Sequence, residues 1–474
     1  MKKLLSAFLV LVLLCSFAAC GGSVAGETTA PSEPTLKVGF SKVDITPLES
    51  VALPTDAEGG MSNGILDYMY ITCVYLIDDL GKEMYLLAFD ICNMYPPLPA
   101  WRYEIATMVG VSDEQVMFSA SHTHSAVEIK AVDVPSVARY NDQLRKGFEK
   151  AVQQAKADAK PATGMFHASI ETESLNFTRR YIMDDGSLLG DNCPGTGTTI
   201  LRHETKADPE LQLLKFTREG GKDVILTNFQ THPHRTAYDT DVNTNISSDI
   251  VGVYREELEK ALDCHALYYT GASGNVNPTS KITEENIYSN HREHGKAMAR
   301  YAIEAAGSFV ELNLGRIQTV KTTYEGTTDL SEQHLINEAK VVSDRFNSGM
   351  GRVEALKGYE HLFVHPRHAQ AILGRAGTPP KQNVLLYSFS VGDFVACYAP
   401  FELFSKLGEM IKENSPYPAT FVCCYSTDIF SYLPDRVAYA NGGYGAYKCN
   451  FIPGTGEEIV DEFLKQAETM YANK

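Results

Sequence analysis

Past its first twenty residues, the chain has no apolar run long enough to cross a membrane as a helix. It has no block of lysine and arginine, and no Cys-x-x-Cys pair. Each absence narrows the function. The first leaves the body of the protein without a membrane-spanning helix. The second, together with a formal net charge of -17, argues against a nucleic-acid partner, because neutralising phosphates needs clustered basic side chains. The third argues against a cysteine zinc site. Of the 10 cysteines, Cys15 and Cys20 fall in the leader. The others (Cys73, Cys92, Cys193, Cys264, Cys397, Cys423, Cys424 and Cys449) sit mostly in apolar strand-like runs, where cysteine behaves as a small hydrophobe. No internal repeat and no break in composition divides the chain.

What remains is ordinary globular material: 474 residues, 44% hydrophobic and 21% charged. Residues 1–20 read as a secretory leader, with Lys2-Lys3, an apolar stretch from Leu4 to Phe17, and Ala18-Ala19-Cys20. The cysteine after two small residues resembles a bacterial lipobox. It implies an exported, extracytoplasmic protein held at the cell membrane by lipid on Cys20. Residues 21–35, rich in Gly, Ser, Thr, Glu and Pro, read as a flexible tether. Residues 36–474 are expected to form the functional domain.

Within that domain, strand-like and helix-like segments alternate, and hairpin signals such as Asp78-Asp79-Leu80-Gly81 recur. The expected class is α/β, with mixed sheets flanked by helices. Long helices are expected over 136–159, 250–262 (with Ser248-Asp249 as its cap), 293–306 and 457–470, and a polar helical stretch over 330–356. Glu402 is expected to open a helix reaching about Lys412.

The ends of the apolar strands carry the chemistry. The run Gln115-Val116-Met117-Phe118 leads into Ser121-His122-Thr123-His124-Ser125. A second strand ends in His232-Pro233-His234. Others end at Glu402, at the loop Asp428 to Tyr432, and at Gly274-Asn275-Val276-Asn277-Pro278. In open α/β sheets, ligands bind beyond the carboxyl ends of the strands. Two histidines and a carboxylate with an open position suit a catalytic zinc. Taken singly, each residue has a plainer reading: an edge histidine, a helix-end carboxylate, a solvated arginine pair at Arg179-Arg180, turn asparagines.

The ordered series resembles the neutral/alkaline (non-lysosomal) ceramidase family in its N-terminal catalytic domain. It begins at Val38-Gly39-Phe40-Ser41-Lys42-Val43-Asp44-Ile45-Thr46-Pro47. It runs through the 121–125 motif, Asn228-Phe229-Gln230-Thr231-His232, Ser248-Asp249, the 274–278 loop and Pro400-Phe401-Glu402 to Tyr432-Leu433-Pro434. The resemblance implies Zn2+ held by His122, His232, Glu402 and Tyr432. His124 would face water or substrate, and Arg179 or Arg180 would contact substrate. The implied activity is hydrolysis of an amide in a lipid-like or small substrate, with Tyr432 also able to stabilise the developing oxyanion. Departures are visible, and one is Asn275 where the family carries an Asp. Asn277 stands where the family carries a serine, and is expected to donate a hydrogen bond there. Pro233-His234-Arg235 replaces Thr-Ser. Ala126-Val127-Glu128 replaces Gly-Pro-Gly. A metal-dependent esterase and a surface lipoprotein that binds a ligand without turnover are the alternative readings.

Overall fold

In the strand Leu36–Asp44, Val38 and Phe40 point to one side; in Tyr70–Asp78, Val74 and Leu76 do the same while Cys73 and Tyr75 point to the other. This period-two alternation gives the larger sheet two buried faces. The computed structural model describes residues 35–54, 60–190 and 199–474. The leader, all but the last residue of the tether, Cys193 and the second half of the Gly- and Thr-rich loop at 184–199 lie outside that set.

The larger sheet is mixed. Its middle is antiparallel: Glu210–Arg218, Lys160–Glu171, Leu36–Asp44, Tyr70–Asp78 and Glu83–Phe89 run in that spatial order. The short strand Val310–Leu312 pairs with Lys160–Glu171 off this path. Parallel pairs close both ends: Val224–Phe229 beside His265–Thr270, and Glu83–Phe89 beside Val116–Ala120. The expected hairpin at 78–81 is present, with Gly81 at φ 80, a left-handed turn position. A second sheet holds Ile317–Thr327, Lys381–Val391, Phe394–Tyr398 and Ala419–Cys423, its last two strands parallel. Leu86, Leu226, Phe389, Phe394 and Phe421 belong to one shared core. The helix Pro135–Ala157 lays Leu144, Phe148 and Val152 on the other face of the larger sheet.

The two sheets are stitched together where their strands end. Ala120 N donates to the Tyr425 carbonyl at 3.0 Å, and Thr427 N to the Phe118 carbonyl at 2.8 Å. Asn228 bonds both ways to the Val422 backbone, at 3.0 and 3.1 Å. Within the larger sheet, Thr270 Oγ1 donates to the Ser121 carbonyl at 2.7 Å, joining two of its strand ends. Four separate strand ends are thereby gathered into one place.

Three expectations change. Glu402 does not open a helix: Glu402–Leu403 is a short strand in parallel register with Tyr432–Leu433, and the helix Ser405–Asn414 begins after it. Asn275 Oδ1 accepts from Ser405 N at 2.8 Å, which marks that helix start. Of the expected capping pair, Ser248 makes no capping bond through its side chain to the helix Asp249–Leu262; Asp249, the first helical residue at φ 55, does satisfy a free N–H there, its Oδ1 accepting from Ile250 N at 2.7 Å. The polar stretch 330–356 splits into Ile336–Asn347 and Arg352–Leu356. Gly349, at φ 91, lies between them. With Pro366–Arg375 they bury a small core of Val342, Phe363 and Ile372. The strand Ile317–Thr327 has no counterpart in the sequence reading, because polar residues such as Thr319, Lys321, Thr323 and Glu325 hide the apolar alternation.

Candidate active site

His122 follows the strand Val116–Ala120 at φ 70, a conformation uncommon for a side chain of this size. The kink swings its ring over Tyr425, with centroids 3.8 Å apart and planes 12° apart. Tyr425 is itself at φ 53 and bonds Ser273 Oγ at 2.8 Å. His122 Nδ1 lies 2.5 Å from the Cys92 carbonyl, so it carries the hydrogen and leaves Nε2 with a lone pair. His232, after the strand Val224–Phe229, repeats the device: Nδ1 donates to the Val276 carbonyl at 2.9 Å. Such backbone acceptors fix the tautomer of a metal-binding imidazole. Burial holds the pKa of both rings well below the ordinary histidine value, for His122 against the pull of Glu402 and for His232 reinforced by Arg179. Both are neutral at pH 7, the form that ligates.

Glu402 closes the triangle. Its Oε2 lies 3.7 Å from His122 Nε2 and 3.4 Å from His232 Nε2. Donors roughly 2.0–2.2 Å from one tetrahedral ion sit about 3.3–3.6 Å from each other, so the spacing fits. The chemistry fits as well. His232 Nε2 and Glu402 Oε2 are buried and have no hydrogen-bond partner among the described residues, a state that costs stability unless something binds there. Zinc, with its preference for nitrogen and oxygen donors, suits this set.

The remaining candidates fall around these three. His124 Nε2 is 3.3 Å from His122 Nε2. Tyr432 is placed opposite Glu402 by the strand register, and its hydroxyl accepts from Arg179 Nη2 at 3.0 Å. The same Arg179 nitrogen donates to the Gly274 carbonyl at 2.7 Å. Arg180 is turned elsewhere. It pairs with Glu204 and donates to the carbonyls of Gly442 and Ala438 at 2.6 and 3.1 Å. Of the two arginines, the structure therefore brings Arg179 to the site and gives Arg180 a structural duty. Asn277 is buried, and its Oδ1 accepts from His234 Nε2 at 2.9 Å.

Several contributors escaped the sequence reading: Tyr425 under His122, and the carbonyls of Cys92 and Val276; Asp249 was expected only as part of a helix cap. Asp249 Oδ2 accepts from Thr236 N and Oγ1 at 2.7 and 2.5 Å, and Thr236 Oγ1 lies 2.8 Å from Ser125 Oγ. One carboxylate thus ties the 232–239 segment to the 121–125 loop. The two carbonyls had a signal in the apolar strand ends before them, and Asp249 in the Ser248-Asp249 motif.

Searched by sequence, the chain matches no family model and no curated protein. Fold and site together define a mixed α/β protein with a buried His-His-carboxylate cage. The fold itself is that of the neutral ceramidases. The neutral ceramidase from Pseudomonas aeruginosa superposes with a TM-score of 0.67 at 17% identity, over 93% of this chain and 75% of that one. A ceramidase complexed with C2 gives 0.64 at 18%, over 93% and 76%.

Proposed function

We propose that this chain is a zinc-dependent hydrolase cleaving an amide (N-acyl) bond in a lipid-like or small substrate. The observation that carries the reading is the convergence of His122 Nε2, His232 Nε2 and Glu402 Oε2, two of them buried without a hydrogen-bond partner among the described residues. The ceramidase fold of its structural neighbours supports the choice of an amide. His122, His232 and Glu402 would hold the metal, with Tyr432 as the fourth protein ligand. When bound, zinc supplies a Lewis acid for the substrate carbonyl and makes water a stronger acid. The protein does the rest. Arg179 fixes the Tyr432 phenol and brings positive charge to where the carbonyl oxygen turns anionic, the kind of preorganised electrostatics that usually lowers the barrier most. His124, beside the donor cluster, carries the proton from the attacking water to the departing amine. We further propose export and membrane anchoring through Cys20, on the strength of the leader motif. Metal analysis of purified protein, paired with a His232→Ala variant, tests the reading. The wild type is expected to carry one zinc and cleave N-acyl substrates; the variant should lose both.

A further inference from the structure

Beyond the metal ligands lies a cleft of about 620 Å³. Its inner end is His234 and Asn277, joined by their 2.9 Å hydrogen bond. The His234 ring is 5.4 Å from that of His232 and 5.6 Å from that of His124, so the cleft abuts the proposed reaction centre. Among the described residues, no aliphatic side chain lines it. Ligand cavities are usually lined by apolar and aromatic groups. Two hydrocarbon chains would find nothing here to replace the water they lose. Instead the walls present Arg235, Lys281, Asn290 and Asn277, with Asp239 as the one carboxylate among the described residues. Arg235 is pinned in the wall by Nη2 donating to the Tyr288 carbonyl at 2.7 Å. Lys281 Nζ has no hydrogen-bond or ion-pair partner among the described residues. Asp239 accepts from Asp241 N at 3.1 Å through one oxygen, and its charge, with those of Asp249 and Glu293, is felt by Arg235. Tyr238 stands edge-on to His234 at the cleft wall, its rings' centroids 4.7 Å apart. Two cations against the single carboxylate of Asp239, beside amides and hydroxyls, match a small anionic headgroup, since guanidinium and ammonium make their strongest hydrogen bonds to carboxylates.

We propose that this cleft receives the amine half of the substrate and that this half carries a carboxylate, making the substrate class an N-acyl amino acid. The proposal rests on the amidase reading above. In the reaction, the oxygen of water bonds to the acyl carbon, the C–N bond breaks, and the nitrogen leaves with a proton from that water. A carboxylic acid and a free amino acid result. Arg235 and Lys281 set specificity and take no part in bond breaking.

Three probes with one acyl chain separate the possibilities: N-lauroylglycine, N-lauroylethanolamine and N-lauroylsphingosine. Turnover of each is measured on the zinc-loaded protein, and binding of N-lauroylglycine is measured by calorimetry on metal-free protein. N-lauroylglycine is expected to be the best substrate. Lys281→Gln, an exposed change that leaves the fold alone, and Arg235→Gln should each lower its kcat/KM and its binding about tenfold or more. Turnover of the ethanolamide, which has no carboxylate to lose, should fall less than that of N-lauroylglycine, so that the ratio of the two kcat/KM values drops. Preference for the ethanolamide or the sphingosine amide, with no effect of either variant, overturns the proposal while the amidase reading stands. Binding of N-lauroylglycine that both variants weaken, without turnover of any probe, supports the cleft assignment and overturns the amidase reading. Neither binding nor turnover overturns both.

Discussion

Arg179 and Arg180 are neighbours with opposite tasks. On an extended backbone, successive side chains point to opposite sides, so one guanidinium meets Tyr432 and the other meets Glu204. Arg179→Ala is expected to lower kcat/KM on N-acyl substrates by about 10²-fold, the usual loss for one donor at an oxyanion site. Zinc content should be retained. Arg180→Ala is expected to leave activity per folded molecule intact and to destabilise by roughly 3 kcal/mol or more, because Glu204 then stays partly buried without its partner. Denaturant unfolding and kinetics on both variants check the split; the reverse pattern would exchange the two roles. The sequence alone could not make this choice, since it depends on which face of the strand the site occupies. His122, His232 and Glu402 were legible because each ends an apolar strand. Tyr425 was not: it reaches His122 only through a backbone at positive φ, which no local pattern announces.

At the scale of elements, the 271–278 loop and the Glu402–Leu403 strand meet backbone to backbone. Gly274 N donates to the Leu403 carbonyl at 2.7 Å. A methyl group at Gly274 would come within 2.3 Å of the Glu402 carbonyl oxygen. Gly274→Ala is therefore expected to cost about 1–3 kcal/mol through overpacking and to weaken zinc binding by displacing Glu402. A calorimetric zinc titration beside a urea melt reads both effects, and unchanged metal affinity would detach this contact from the site. A second element carries a pH response. In the helix His291–Ala305, His294 is fully buried, and burial lowers its pKa to about 3. The unfolded chain gains this proton below about pH 6.5, whereas the folded protein refuses it until about pH 3. Stability is thus complete above about pH 6.5 and falls as pH drops toward 3, by up to roughly 1.4 kcal/mol per pH unit from this residue. A His294→Leu variant should show a shallower loss of urea midpoint between pH 7.5 and pH 4.5. An identical slope would show that other groups carry the acid response. The long helices and hairpins were readable from periodicity. The short strands at Glu402 and Tyr432 were not, because two residues have no period and their pairing is set by the rest of the fold.

For the whole molecule, the α/β class and mixed sheets follow from the alternation of segments. The shared core and the stitching of strand ends decide which loops become neighbours. Residues more than a hundred positions apart, His122, His232 and Glu402, then present three donor atoms at 3.4 and 3.7 Å spacings about Glu402 Oε2. The same fold at 17–18% identity in the ceramidases shows how little sequence the scaffold requires. Zinc content and N-acyl hydrolysis, measured on the same preparation before chelation, after complete metal removal, and after return of one equivalent of zinc, test the metal-dependent amidase most directly. One zinc per chain is expected, with hydrolysis abolished by removal, restored by return, and absent throughout in His232→Ala. Undiminished hydrolysis by demonstrably metal-free protein would contradict it.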